Sequence, residues 1–435
     1  MIQREKLGNL LTESKILSEN PNANRRITVR LNVKGLEKRP FENEIAGATK
    51  QYVRKAGQFI YGKQNFHKGA FGIIPPELDN YESSSDLPSF DVSKNCLPEW
   101  IYYYFKTGNR YLELEKIARG VGSKRIHSEQ LSEIEIPLPD IPTQKKIINE
   151  LKKDELKHSK LKSEISHQQS LLKKLRQAIL QEAVQGKLVK QDKNDEPASE
   201  LLKRIKAEKQ KLIVEGKLRK EKPLPPIKEE EIPFALPKGW AWCRFGDISS
   251  VVRGGSPRPA GSKQFYDGNI PFLKVGDLTA DEKIYLDTHT FTIKEAGLTK
   301  TRMVQENTLM LTNSGATLGV PKICRFKTTF NDGIAAFLNI DTRLSKEFLY
   351  FLLKSKTGWY LKEASRGQGQ PNLNTDIIKN TLIAFPPSDE QLRIVGKINS
   401  LFLFCDQLEK QIEENVKHSE FLLQAVLKEA FEGKE

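Results

Sequence analysis

Leu175-Arg176-Gln177-Ala178-Ile179-Leu180-Gln181-Glu182-Ala183-Val184-Gln185-Gly186-Lys187 decides the architecture, because the chain contains this stretch twice. Leu175, Gln177, Ala178, Leu180, Glu182, Ala183, Gly186 and Lys187 return as Leu422, Gln424, Ala425, Leu427, Glu429, Ala430, Gly433 and Lys434, each 247 positions further on. The same offset relates Arg119-Gly120 to Arg366-Gly367, Gln144 and Ile147 to Gln391 and Ile394, and Leu97 and Tyr103 to Leu344 and Tyr350. A match this long at one offset marks an internal duplication. Upstream of residue 97 the copies diverge, and Leu7-Gly8 resembles Phe245-Gly246 only at an offset of 238. Each half therefore has a variable head and a shared tail.

The tails read as long helices. Residues 142–185 contain no Gly or Pro after Pro142 at their start, and Leu161, Ile165, Leu172, Leu175 and Ile179 follow the alternating four-and-three spacing of a coiled-coil seam. Ile394, Ile398, Leu401, Leu408, Ile412, Leu422 and Val426 do the same in 389–432. Ser388 can cap the second helix, and Gly186 and Gly433 can stop the two. At about 1.5 Å per residue each helix runs roughly 60 Å. Gln168 and Asn415 occupy equivalent places: they either fix register as polar seam residues or lie at a solvated edge.

The heads read as mixed α/β. Ile270–Val275, Thr308–Leu311 and Ile334–Leu338 are short apolar runs between Gly, Pro, Asn and Asp, as strands are, and 97–116 and 344–364 read as helical. Between the halves, 189–235 is rich in Lys and Glu, with a helical middle at Glu196–Glu215 and an extended spacer at Lys222-Pro223-Leu224-Pro225-Pro226. The expected fold class is α+β, divided into a first head (1–140), a first long helix (141–188), a charged linker with a short helix (189–235), a second head (236–387) and a second long helix (388–435).

With 70 Lys and Arg against 56 Asp and Glu, the formal net charge is +14, which points to a polyanionic partner. No run of about 18 apolar residues exists, so no membrane span is expected. Met1-Ile2-Gln3-Arg4-Glu5-Lys6 lacks the apolar segment of a secretory signal. Cys96, Cys243, Cys324 and Cys405 have no zinc-type spacing and read as packed thiols in a reducing cytoplasm.

Motifs of chemistry are mostly missing. Gly57-Gln58-Phe59-Ile60-Tyr61-Gly62-Lys63-Gln64 approaches a phosphate-binding loop but has Gln64 where magnesium needs Ser or Thr, and Phe59-Ile60-Tyr61 reads as a strand. No Gly-x-Gly-x-x-Gly, methyltransferase signature, metal-ligand histidine pair or nuclease carboxylate cluster is recognisable. No catalytic or metal-ligating residue is assigned.

The loops suit binding. Arg253-Gly254-Gly255-Ser256-Pro257-Arg258 is basic and glycine-rich, Lys274 follows a strand, and Asn313-Ser314-Gly315-Ala316-Thr317 offers amide and hydroxyl groups. Arg366, Gln368, Gln370 and Asn372 alternate with glycines or lie just beyond them. In the first half Lys63, Gln64, Asn65 and Lys68, and Arg119, Lys124 and Arg125, fill comparable places. Arg and Lys suit guanine edges and phosphates, and Asn and Gln suit adenine edges. The bland alternative is a set of turns with solvated polar tips.

Leu236-Pro237-Lys238-Gly239-Trp240 followed by Phe245-Gly246-Asp247-Ile248 resembles the opening of a target-recognition domain in Type I restriction–modification specificity subunits. Gly254-Gly255-Ser256-Pro257, Ile270-Pro271-Phe272, Gly276-Asp277-Leu278 and Ser314-Gly315-Ala316-Thr317-Leu318-Gly319 continue the pattern in order. Pro386–Val395 resembles the start of the family's conserved helix, and Leu201-Leu202 with Ala207-Glu208-Lys209 and Gly216-Lys217 its central region. The first head departs from the pattern: it lacks the Leu-Pro-x-Gly-Trp opening.

The resemblance implies a sequence-specific DNA-binding protein without a catalytic site. Its two heads would each read half of a bipartite site in double-stranded DNA. Its helices, packed antiparallel, would set the unread spacer and dock two methyltransferase subunits. Two motor–nuclease subunits would complete a restriction form. S-adenosylmethionine, ATP and Mg would belong to those partners, with no cofactor in this chain. The competing reading is a coiled-coil scaffold with protein-binding heads. A stand-alone nuclease or methyltransferase is a more distant one, for which no turnover is expected.

Overall fold

Apolar residues spaced for helix, and no internal breaker before Gly186, give a first long helix over Ile141–Val184; a second spans Ser388–Glu432. In the computed structural model, which describes residues 3–40, 49–120, 123–364 and 372–432, the chain forms two units. The first is Met1–Gln168 with Gln411–Glu435, and the second is Gln169–Lys410. Each unit thus holds one head, part of one long helix and the complementary part of the other.

In the first unit, four antiparallel strands lie in the order Leu11–Ser14, Ser89–Val92, Phe59–Tyr61, Phe71–Ile73. Their core is aromatic: Phe59, Tyr61, Phe66, Phe71, Phe90, Trp100 and Phe105 are all buried. Phe431 joins this core with its ring 4.5 Å from Trp100. Residues 97–116, read as helical, are a helix at Pro98–Lys106 and then a tighter 3-10 stretch. The break is at Gly108 and Asn109, both in the left-handed region, which stops an α-helix.

The second unit has a five-stranded sheet in the order Ser250–Arg253, Ile334–Leu338, Thr308–Thr312, Pro321–Cys324, Tyr285–Leu286. A four-stranded sheet orders Phe291–Ile293, Tyr266–Leu273, Thr328–Phe330 and Arg302–Val304. The three sequence-read strands belong to these sheets, and the linker helix spans Ala198–Val214. Residues 344–364 form two helices, Lys346–Ser355 and Thr357–Ala364.

The duplication is visible in the backbone. Arg4–Lys6 pairs with Glu135–Pro137, and Ala241–Arg244 pairs with Leu382–Phe385, so each head begins beside the residues that enter its long helix. A four-residue helical turn follows each first strand, Leu7–Leu10 and Phe245–Ile248. Gln144 and Gln391, both fully buried, repeat one hydrogen-bonding pattern. Gln144 accepts from the Leu97 amide at 2.9 Å and donates to the Asn95 and Pro139 carbonyls. Gln391 accepts from the Ser345 amide at 3.0 Å and donates to the Pro386 carbonyl. Each bolts the start of a long helix to its head.

The helix seams agree with the sequence reading in part: Ile165, Leu172, Ile179, Ile394, Ile398 and Ile412 are buried. Along the first helix the buried column is Gln144, Leu151, Ile165, Leu172 and Ile179, with His158 half-buried in step; along the second it is Gln391, Ile398, Cys405, Ile412 and Ser419. Leu161, Leu175 and Leu422 are exposed, as are Gln168 and Asn415, so neither polar residue lies in a seam. Within the first unit, Ser419 Oγ lies 2.7 Å from His158 Nδ1, and within the second, Arg176 bridges Asp406 at 2.6 Å and Glu409 at 3.0 Å. Polar residues thus take column positions that a search for apolar repeats passes over. Val426 and Gly433 lie outside the described side chains and residues respectively.

Gly186, with φ +70°, ends the first helix in the left-handed conformation. A Cβ there would also come within 2.4 Å of Pro237. Among the described residues, no helix is long and apolar enough to cross a membrane.

Candidate nucleic-acid interface

In the first unit the loop from Gly62 to Gly69 is anchored by Phe66, whose ring lies 4.7 Å from Tyr61 and 4.8 Å from Phe105. Gly69 is left-handed, and a Cβ there would meet the Val33 nitrogen at 2.9 Å, so the return of the loop requires glycine. Arg119 and Arg125 pair through reciprocal backbone bonds of 2.9 and 2.8 Å. The two loops are laced together: the Ile126 amide donates to the Lys63 carbonyl at 2.8 Å. This brings the expected residues of the first head onto adjoining loops. Lys68, Arg119 and Lys124 are exposed, and Lys63, Gln64, Asn65 and Arg125 half-buried.

Two carboxylates accompany them that sequence reading did not single out. Glu115 meets Lys124 Nζ at 2.8 Å, and Asp86 meets Arg125 Nη1 at 3.2 Å. The Lys124 hydrogen bond and charge, with His67 and Lys68 nearby, hold the Glu115 carboxyl below the usual range. Burial pushes the His67 imidazole down, with Lys68 adding to the effect.

In the second unit the turn Asn331-Asp332-Gly333 organises the loops. The Asp332 carboxylate accepts from Ser256 Oγ at 2.7 Å, and its carbonyl accepts from Arg253 Nε at 2.5 Å. The Asn331 amide donates to Leu273, beside Lys274, and the Gly333 carbonyl takes the Asn313 amide. Arg302 Nε donates to the Arg253 carbonyl at 2.9 Å. Ser314 pairs with Asn372 in an isolated bridge. Arg253, Ser256, Lys274, Ser314 and Asn372 are thereby tied around one turn. Arg253, Arg258, Thr317 and Asn372 are exposed.

Two expected contacts need amendment. Asn313 is fully buried: its backbone pairs with Gly333 and Leu373, so it supports the loop and does not present its amide outward. Lys274 spends its charge on an aromatic face, with Nζ 3.3 Å from the Phe291 ring centre. Arg366, Gln368 and Gln370 lie outside the described residues. The signal for the missed turn was present as Asn-Asp-Gly between two strands, but only the fold shows what its carbonyls and carboxylate hold.

Trp240, the aromatic of the second head's opening, faces inward. Its Nε1 donates to Glu390 at 3.0 Å, and Gln191 donates to the other oxygen of the same carboxylate at 3.1 Å. Burial raises the Glu390 carboxyl. The motif is therefore a structural lock between linker, head and helix start. Both loop clusters offer cations, amides and hydroxyls, and no group of side chains that could hold a metal ion is present among the described residues.

A family model described as Type I restriction modification DNA specificity domain matches residues 37–167 and 237–418. The chain belongs to this family. Its two DNA specificity domains correspond to the two copies of the repeat. The chain is 35% identical over 253 residues to the Type I restriction enzyme EcoEI specificity subunit of Escherichia coli, covering 55% of this chain and 42% of that protein. It is 34% identical over 262 residues to the EcoAI specificity subunit of the same organism, covering 59% and 44%. The chain thus spans less than half the length of these curated relatives. The HsdS subunit from Thermoanaerobacter tengcongensis has the same fold, with a TM-score of 0.51 at 17% identity over 99% of this chain and 96% of that one. A structure describing complex assembly and conformational transition of the type I R-M system superposes with a TM-score of 0.61 at 17% identity, covering 99% and 97%. At that identity the likeness is one of fold.

Proposed function

We propose that this chain is the sequence-reading subunit of a Type I restriction–modification complex, with no catalytic centre of its own. The observation that carries the reading is the pair of family domains, each built around exposed basic and amide-bearing loops. In the first head Lys63, Gln64, Asn65, Lys68, Arg119, Lys124 and Arg125 face DNA. In the second, Arg253, Ser256, Arg258, Ser314, Thr317, Arg366, Gln368, Gln370 and Asn372 do so. Each head reads one half of a bipartite site.

The domain plan is a first head over 1–140, a helix over 141–188, a linker over 189–235, a second head over 236–387 and a helix over 388–435. The long helices pack antiparallel and set the spacer. The buried column on each helix supports this packing, as do the His158–Ser419 and Arg176–Asp406 contacts.

Two methyltransferase subunits dock on the helices. Leu156 and Leu403, equivalent in the repeat, are each 60% exposed, and Leu175 and Leu422 are likewise both exposed. Equivalent apolar positions suit two copies of one partner. S-adenosylmethionine belongs to those subunits, and ATP and Mg to two motor–nuclease subunits. The complex works in the cytoplasm, where the four buried thiols stay reduced.

Selection of the purified full chain, with its methyltransferase subunit, on a random duplex library tests this. Enrichment of one two-part motif is expected. Recovery of no motif would favour the scaffold reading.

A further inference from the structure

The first head carries a feature that DNA binding alone does not need. Of the five cations on its two adjoining loops, Arg125 and Lys124 are bridged by Asp86 and Glu115, while among the described residues neither Lys63 nor Lys68 forms an ion pair. All four bridged side chains are partly solvent-exposed, so these pairs contribute little to stability and exchange readily. Asp86 is also fixed relative to the loop, because its carbonyl accepts the Lys63 amide at 2.9 Å. Glu115 sits among Lys124, His67 and Lys68.

We propose that Asp86 and Glu115 are specificity-determining residues of the first head, because their carboxylates hold Arg125 and Lys124 in the way a DNA phosphate would. The inference rests on the reading that this loop pair faces DNA. A duplex must displace both carboxylates before the two cations reach it, and each displaced carboxylate then repels the nearby phosphates. Non-cognate DNA has only phosphate attraction to offset this; cognate DNA adds base contacts. The carboxylates therefore weaken non-specific binding more than specific binding, which is a repulsive route to discrimination.

The test uses the full chain with Asp86→Asn and Glu115→Gln, singly and together. Binding is measured to the duplex obtained by selection and to a scrambled duplex of equal length, across a salt series. Each single change should tighten scrambled-duplex binding about 3- to 10-fold and steepen the log–log salt slope by about one. The ratio of specific to scrambled affinity should fall by a similar factor, with melting unchanged. Unchanged or weakened binding to the scrambled duplex would overturn the proposal. A companion variant, Lys63→Gln with Lys68→Gln, separates the layers. If it weakens binding while D86N/E115Q is neutral, only the carboxylate role fails. If it too is neutral, the reading of this loop pair fails with it.

Discussion

Single side chains do three different jobs here, and their surroundings tell them apart. Asp332 touches Ser256 and, through its carbonyl, Arg253, without being a base-reading group itself. Removing a charged hydrogen-bond partner costs about 1–2 kcal/mol, so Asp332→Ala should weaken specific DNA binding roughly 10-fold. Asp332 is half-buried and its carbonyl bond to Arg253 survives the change, so the melting midpoint should move little; parallel binding and melting measurements check both. Gln391 is the opposite case: it is fully buried, its bonds bind a helix start to its head, and it reads nothing. Gln391→Ala leaves the Ser345 amide buried without its acceptor and should destabilise the second unit by about 1–3 kcal/mol in urea denaturation, as Gln144→Ala should the first. The importance of Gln144 and Gln391 was legible, since both recur at the common offset. Their task was not, because a repeated glutamine looks the same whether it bolts a helix or contacts a base. Asn313 shows the cost of that ambiguity: an amide in a glycine-bounded loop suits adenine, yet the fold buries it.

Among the elements, the long helices were the most legible and their seams the least. In the first, the absence of any Gly or Pro between Pro142 and Gly186 announced its length; the second was legible as its repeat. The alternating spacing admitted Leu161, Leu175 and Leu422 to the seam, whereas the buried columns run through Gln144, Gln391 and Ser419 and past a half-buried His158. His158 gives this a pH signature. Burial, with Lys162 beside it, holds its imidazole below the ordinary histidine range, while Glu420 and Glu155 act weakly in the other sense. The folded state therefore binds its proton less readily than the unfolded chain. Its contribution is fully present above the unfolded histidine range and is lost as pH falls through it towards the folded value. Melting of the first unit should decline on acidification from neutrality, and His158→Gln should flatten that part of the profile. The exposed leucines displaced from the seam have their own expected outcome. Leu403→Asp should abolish co-purification with the methyltransferase subunit at one of two sites while leaving the melting curve in place; a drop in melting instead would mark Leu403 as packed.

At the scale of the whole molecule, the duplication was legible because a single offset relates more than ninety positions of the chain, from Leu97 to Lys187. Outside that offset each head repeats one strand and one helical turn, Arg4–Lys6 with Leu7–Leu10 and Ala241–Arg244 with Phe245–Ile248, of which only the Leu7-Gly8 and Phe245-Gly246 likeness shows in the sequence. The heads diverge in between, as two readers of different half-sites would. The second head followed the family pattern closely enough for its loops to be named, whereas the first head was placed by analogy of position and its guarding carboxylates went unread. The excess of positive charge predicts binding that weakens steeply with salt. The most direct test of the central claim is a methylation map. The chain is expressed with its methyltransferase subunit in a host lacking DNA methylation, and the genome is sequenced by a modification-sensitive method. The account predicts modified adenines in one asymmetric two-part motif with a fixed gap, and replacement of 236–387 by another family head should change one part only. A soluble complex that leaves no modification, or that marks a single uninterrupted motif, would contradict it.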